Sequence, residues 1–259
     1  MSRKTSCKEV ALPPAGGRGW WDVLMAGNWE GADCLRVFDE FVDIAFRILT
    51  EGKVEYEERP LFQRNREGKL AVIRKALECL GDEMERAPYK DLLGRVHQEI
   101  AGGKGRQVLG AFYTPDDLCS LIASAGDNIE EMKKRIGRGE RPSLCDPACG
   151  SARMVLAVTE GLGELRRHLR VTCIDIELTA CKMAYLNLSM WGVPAEVYHG
   201  DSLRGICWSG WRTPALALEE EREAEMEHLR PLAEVMKGLC LPGRESRKGD
   251  AGAEGMVVS

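Results

Sequence analysis

The chain has 259 residues, of which 44% are hydrophobic and 30% charged, and a formal net charge of −5. That composition fits one substantial globular domain with an appendage, or two small domains. The negative balance excludes a global attraction to nucleic acid, so any DNA contact has to come from local basic patches. No stretch approaches the roughly 18 apolar residues that span a bilayer. The opening MSRKTSCKEVALPPAGG holds no apolar run of the kind a secretory signal needs. Ten cysteines are scattered without a C-x-x-C pair, and four histidines are dispersed. Reduced thiols in a cytoplasm are the expectation, with no metal site.

Residues 1–18, rich in Pro and Gly, predict a flexible lead-in. Residues 19–105 carry a helical period and predict a small helical domain. Phe38, Phe41, Val42, Ala45 and Leu49 form one stripe. Leu70, Ile73, Leu77 and Leu80 form a second, and Tyr89, Leu92, Leu93, Val96 and Ile100 a third. The run AGGKGRQ, residues 101–107, predicts a hinge.

Residues 106–215 change grammar. FYTPDDLCSLIASA opens a helix, with Thr114 at the N-cap, Pro115 at the first helical position and Asp117 three residues after the cap. SLCD, LRVTCIDIE and PAEVYHGD predict strands separated by helices, and hence a parallel sheet of α/β class. LTACKMAYLNLSMWG predicts a helix closed by Gly192. Residues 216–240 predict a charged amphipathic helix interrupted at Pro231, and residues 241–259 a disordered tail.

Ligands of such sheets bind at the carboxyl ends of the strands. Three elements fall there. The turn Asp146-Pro147-Ala148-Cys149-Gly150-Ser151 lets a ligand approach the backbone, with N–H groups at a helix start facing it. Asp175, about two dozen residues on, can accept hydrogen bonds from two ribose hydroxyls. Asp201 is placed to accept one from an exocyclic amine. Each element alone also arises from tight packing or helix capping; in this order they describe an adenosine pocket. The turn lacks G-x-G-x-x-G and G-K-[ST], so S-adenosyl-L-methionine fits better than NAD or ATP.

GAFYTP, CDPACGSARMVLA, CIDIELTACKMAYLNLSMWG and VYHGDSL together resemble the N6-adenine DNA methyltransferases. The likeness is to modification subunits of type I restriction systems, and more closely to short relatives carried by prophages and mobile elements. It runs from about Leu92 to Thr213. The resemblance implies a class I S-adenosylmethionine-dependent methyltransferase (Rossmann-like) core. It implies that Tyr113, Thr114 and Pro115 border the methionine part of the cofactor. Asp146, Pro147, Ala148 and Gly150 would form the glycine turn, Asp175 would hold the ribose, and Asp201 would meet the adenine amine. The family usually has a second glycine where this chain has Ala152, which is costly if that position needs positive φ.

Methylating an adenine amine requires the base to be extracted and held between aromatic or apolar groups. The family does this with Asn/Asp-Pro-Pro-Tyr/Phe after its fourth strand. Here RGICWSGWRTPALALEE follows Asp201, with only Thr213-Pro214, so no catalytic residue is assigned. Trp208 and Trp211 are candidates to stack on a base, although tryptophans beside a sheet are often core. No length is expected after Ala215 for a target-recognition domain, so DNA recognition would fall to the helical part, to a specificity or catalytic partner subunit, or be of very modest specificity. The basic runs at Lys133-Lys134-Arg135 with Arg138 and Arg141, and at Arg166-Arg167-His168 with Arg170, are candidates for phosphate contact or simply solvated surface. Two functions remain: an adenine-specific DNA methyltransferase, or a non-catalytic cofactor-sensing or partner subunit. Methylation of a small molecule or a protein is a third, which the FYTP entry disfavours.

Overall fold

The helical stripes fold as their period predicts, except that Tyr89 lies in the turn before the last of them, at φ +59°, with its ring stacked on Trp191 at 4.6 Å. A computed structural model describes residues 19–29, 31–52, 65–101, 114, 118–119 and 128–239. Helix α1 spans Trp20–Met25, α2 Cys34–Leu49, α3 Arg66–Arg86 and α4 Leu92–Ile100. Asp33 caps α2 by accepting the Arg36 N–H at 2.8 Å, and Asp91 caps α4 by accepting that of Gly94 at 2.8 Å. The inward faces close a core around Trp20, Phe38 and Phe41, with the Trp20 ring stacked on Phe41 at 5.0 Å.

The second half follows as α5 (Asn128–Gly137), β1 (Ser143–Asp146), α6 (Arg153–Leu162), a short 3-10 helix (Gly163–His168), β2 (Arg170–Asp175), α7 (Leu178–Met190), β3 (Ala195–Asp201), β4 (Ile206–Arg212) and α8 (Pro214–Leu239). The sheet order is β1-β2-β3-β4. β1, β2 and β3 are parallel, in register Cys145↔Thr172 and Cys173↔Val197. Val171, Cys173, Ala195 and Val197 pack against α6 and α7. Helix α7 serves both cores, giving Met183 and Leu186 to the helical one and Cys181, Ala184 and Leu188 to the sheet. Phe46 of α2 adds a second link, edge-on to Tyr185 at 4.9 Å and to Trp211 at 5.1 Å.

Three expectations need correction. The sheet is not wholly parallel, because β4 runs antiparallel to β3. Only residues 202–205 separate them, far too few for a crossover, so the chain can only turn back as a hairpin. The C-terminal helix is not interrupted at Pro231 but continues through it. Residues 221–230 are all exposed, so the carbonyl that the proline leaves without a donor can bond to water. Of the cysteines, Cys79, Cys119, Cys145, Cys149, Cys173, Cys181 and Cys207 are in no disulfide, as expected, but Cys34 is disulfide-bonded.

The described residues up to Glu219 form one compact unit, and those from Glu220 belong to a second. The expected lead-in, the boundary at residues 105–106 with its hinge, and the tail lie outside the described residues.

Candidate functional site

The turn after β1 is held by backbone donors. Asp146 Oδ1 accepts the Ala148 N–H at 3.2 Å, the Cys149 N–H donates to the Ile174 carbonyl at 3.0 Å, and the Gly150 N–H donates to Asp175 Oδ2 at 2.7 Å. Gly150 sits at φ +54°, which favours glycine, and Pro147 and Ala148 are exposed. Ala152, at the N-cap of α6, sits at φ +66° and is fully buried. That position does need positive φ, at a cost of about 1–2 kcal/mol to an L-residue.

A cleft of about 270 Å³ opens beside the turn, lined by Leu144, Asp146, Gly150, Ser151, Arg153 and Thr114 among others. Thr114 thus reaches the cleft, while Tyr113 and Pro115 lie outside the described residues; of the helix expected after them, only Leu118 and Cys119 are described, and both are helical. Burial, above all, pushes the Asp146 carboxyl up, and the Asp175 charge adds to it against the Ala148 hydrogen bond.

Asp175 ends β2 and ties the site together: Oδ2 takes the Gly150 N–H, and Oδ1 takes that of Glu177 at 2.9 Å. Each carboxylate oxygen keeps a second lone pair for a ligand. Burial, reinforced by the charges of Asp175 and Asp39, pushes Glu177 up to about 7. Beneath lie three buried thiols. Cys149 is pushed well up by its hydrogen bond with Cys173 and by burial, and Cys181 to about 12, chiefly by burial. They are inert packing groups. Asp201 ends β3, and its Oδ1 accepts the N–H groups of Leu203 and Arg204, each at 3.1 Å, with Arg204 pairing at 3.5 Å. In this structure it caps the β3–β4 turn. Among the described residues no group of three or more His, Cys, Asp or Glu could hold a metal ion.

The two tryptophans of β4 part company. Trp211 faces the core against Phe46, so the structure uses it for packing. Trp208 is 53% exposed and touches His199 edge-on at 4.7 Å. Thr213, fully buried where a catalytic Asn or Asp was sought, is a clip. Its hydroxyl donates to the Val193 carbonyl at 2.7 Å and accepts the Ala195 N–H at 2.9 Å, pinning the end of β4 to the start of β3.

Sequence reasoning missed a buried polar cluster that closes one end of the cleft. Asp91 Oδ2 accepts the Ser151 hydroxyl at 2.5 Å and Arg153 Nε at 3.1 Å, with Nη2 at 3.0 Å. Its Oδ1 accepts Asn187 Nδ2 at 3.0 Å as well as the Gly94 N–H. Arg153 Nη1 then donates to the Thr114 carbonyl at 3.0 Å. An Asp before Leu92-Leu93-Gly94 is an N-cap signal, and only that part was legible.

Several residues of the basic runs are paired with acidic neighbours. Lys133 pairs with Glu130 at 2.8 Å, Arg135 with Glu140 at 2.8 Å and Arg138 with Glu131 at 3.3 Å. Arg166 pairs with Glu164 at 3.0 Å and also donates to the Trp191 carbonyl at 2.7 Å.

Residues 89–213, from the turn before α4 to the Thr213 clip, match the family model for N-6 DNA methylase. This segment of the chain is similar to the N-6 DNA methylase family. No curated protein and no solved structure matches the chain. The matched segment takes in the cleft, all three strand-end carboxylates and the Asp91 cluster. Most of the helical stretch, α1 to α3, lies outside it. Among the described residues no helix is long and apolar enough to cross a membrane.

Proposed function

We propose that the chain binds S-adenosyl-L-methionine and serves adenine-specific N6 methylation of DNA, in a restriction-modification or mobile-element setting in the cytoplasm. The observation that carries the cofactor reading is the cleft beside a turn whose Gly150 N–H is fixed by Asp175. The backbone at Gly150 allows close approach there. Asp175, held by two N–H groups, presents its remaining lone pairs to a pair of hydroxyls. Thr114, with Tyr113 and Pro115, borders the methionine part, and Asp146, Pro147 and Ala148 line the turn. Asp201 meets the adenine amine, beside the turn that it caps. When bound, the cofactor supplies an activated methyl group. The exposed face of Trp208 offers a stacking surface for an extruded base.

A second reading, a non-catalytic or partner-dependent subunit, is supported by β4. Where the family's catalytic motif would follow its fourth strand, the chain makes a hairpin that ends in the Thr213 clip. On that reading a partner supplies the groups that hold the target amine, and DNA specificity with them.

The test is N6-methyladenine in genomic DNA from methylation-deficient cells expressing the protein, digested to nucleosides. A signal absent from an Asp146→Ala/Asp175→Ala control means that the chain methylates DNA unaided. No signal from soluble, cofactor-binding protein supports the partner-dependent reading.

A further inference from the structure

The Asp91 cluster joins four pieces of chain: the cap of α4, the start of α6 at Ser151 and Arg153, Asn187 in α7, and the carbonyl of Thr114. The approach is close enough that a Cβ on Gly94 would collide with the Asp91 carboxylate and the Ser151 hydroxyl. Asp91 is 1% exposed and Arg153 9%.

A buried ion pair is a poor device for stability, since apolar residues of similar volume commonly do as well. What an apolar pair cannot do is donate to a backbone carbonyl. The guanidinium is a rigid fork: Nε and Nη2 face Asp91 while Nη1 holds Thr114. Arg153 and Thr114 both line the cleft.

We infer that Asp91 and Arg153 are a positioning pair: Asp91 aims the guanidinium, which fixes Thr114 at the end of the cleft that takes the amino-acid part of the cofactor. This rests on the cofactor reading above. Neither residue acts on the reacting atoms. Asp175 and Asp201 serve the other, nucleoside end, so the pair affects methionine-bearing ligands selectively.

Arg153→Lys tests this, because an ammonium keeps the charge for Asp91 but lacks the fork that reaches Thr114 as well. Calorimetry is run with S-adenosylmethionine and with 5′-methylthioadenosine, which has the nucleoside but no amino acid. The expected result is about 10-fold weaker S-adenosylmethionine binding, the worth of one charge-assisted hydrogen bond. Binding of 5′-methylthioadenosine stays within about twofold and the melting temperature within about 3 °C. The double variant Asp91→Asn/Arg153→Met, which keeps the α4 cap and leaves no unpaired charge, should show the same selective loss. Unchanged affinity for both ligands, or a parallel loss of both, overturns the inference while leaving the cofactor reading intact. Native protein that binds neither ligand overturns the cofactor reading itself, and the inference with it.

Discussion

Replacing Asp91 with alanine removes the acceptor for the α4 cap, for Ser151 and Asn187 and for Arg153 Nε, and the carboxylate with which Nη2 pairs. Loss of the cap costs about 1 kcal/mol. Leaving a buried guanidinium without its carboxylate costs about 3–5 kcal/mol. The sum, about 4–6 kcal/mol, is a large part of the 5–15 kcal/mol that holds a typical domain together. Asp91→Asn keeps the cap and should cost about 3 kcal/mol. Adding Arg153→Met to Asp91→Asn removes the stranded charge and should recover about 2 kcal/mol of that loss. The assay is urea unfolding at neutral pH, comparing midpoints at constant slope. An Asp91→Ala cost under about 1 kcal/mol, or a double variant that merely sums the two single ones, would refute the cluster as a coupled unit.

Glu177 has its folded-state pKa raised from an ordinary 4.5 to about 7. The stability it contributes is full below about pH 4.5 and is lost as pH rises through about 7. Glu177→Gln should therefore match the native chain at pH 4.5 and exceed it by about 1–3 kcal/mol at pH 8 in urea unfolding; parallel pH profiles would contradict this. Trp211→Ala should lower the melting temperature by about 5–10 °C and Trp208→Ala by less than about 2 °C, and equal shifts would mean that the two play one role. At Ala152, glycine relieves about 1–2 kcal/mol of backbone strain but gives up a buried methyl (~0.8 kcal/mol) and adds chain entropy (~0.4–1 kcal/mol). Ala152→Gly should thus stay within about 1 kcal/mol of the native chain. Ala152→Val should lose more than about 2 kcal/mol, and a stable Val variant would show that the position tolerates a β-branched residue.

Local signals carried most of the fold. The stripes at Phe38, Ile73 and Leu92, the strands around Asp146, Asp175 and Asp201, and the Gly192 stop are each written within a few turns or residues of sequence. The glycine-turn site was legible for the same reason, since its residues lie at strand ends. Two features were not. Asp91 and Arg153 lie 62 positions apart, and nothing in the local sequence says that they meet. The two tryptophans of β4, three positions apart, take opposite faces once that segment is a strand, and Phe46 meets the inward one. The hairpin was there to be read: GDSLRG before ICWSGWR is too short for a crossover. The Thr213-Pro214 pair is a strand clip followed by a helix start.

The central claim is that the cleft beside Gly150 binds S-adenosylmethionine with Asp175 as an acceptor. Isothermal titration of the native chain and of Asp175→Ala tests it most directly. The account predicts saturable binding by the native chain and a loss of at least about 10-fold in the variant, since the hydroxyls lose their acceptor. No binding by the native chain, or equal affinity in a folded Asp175→Ala variant, would contradict it.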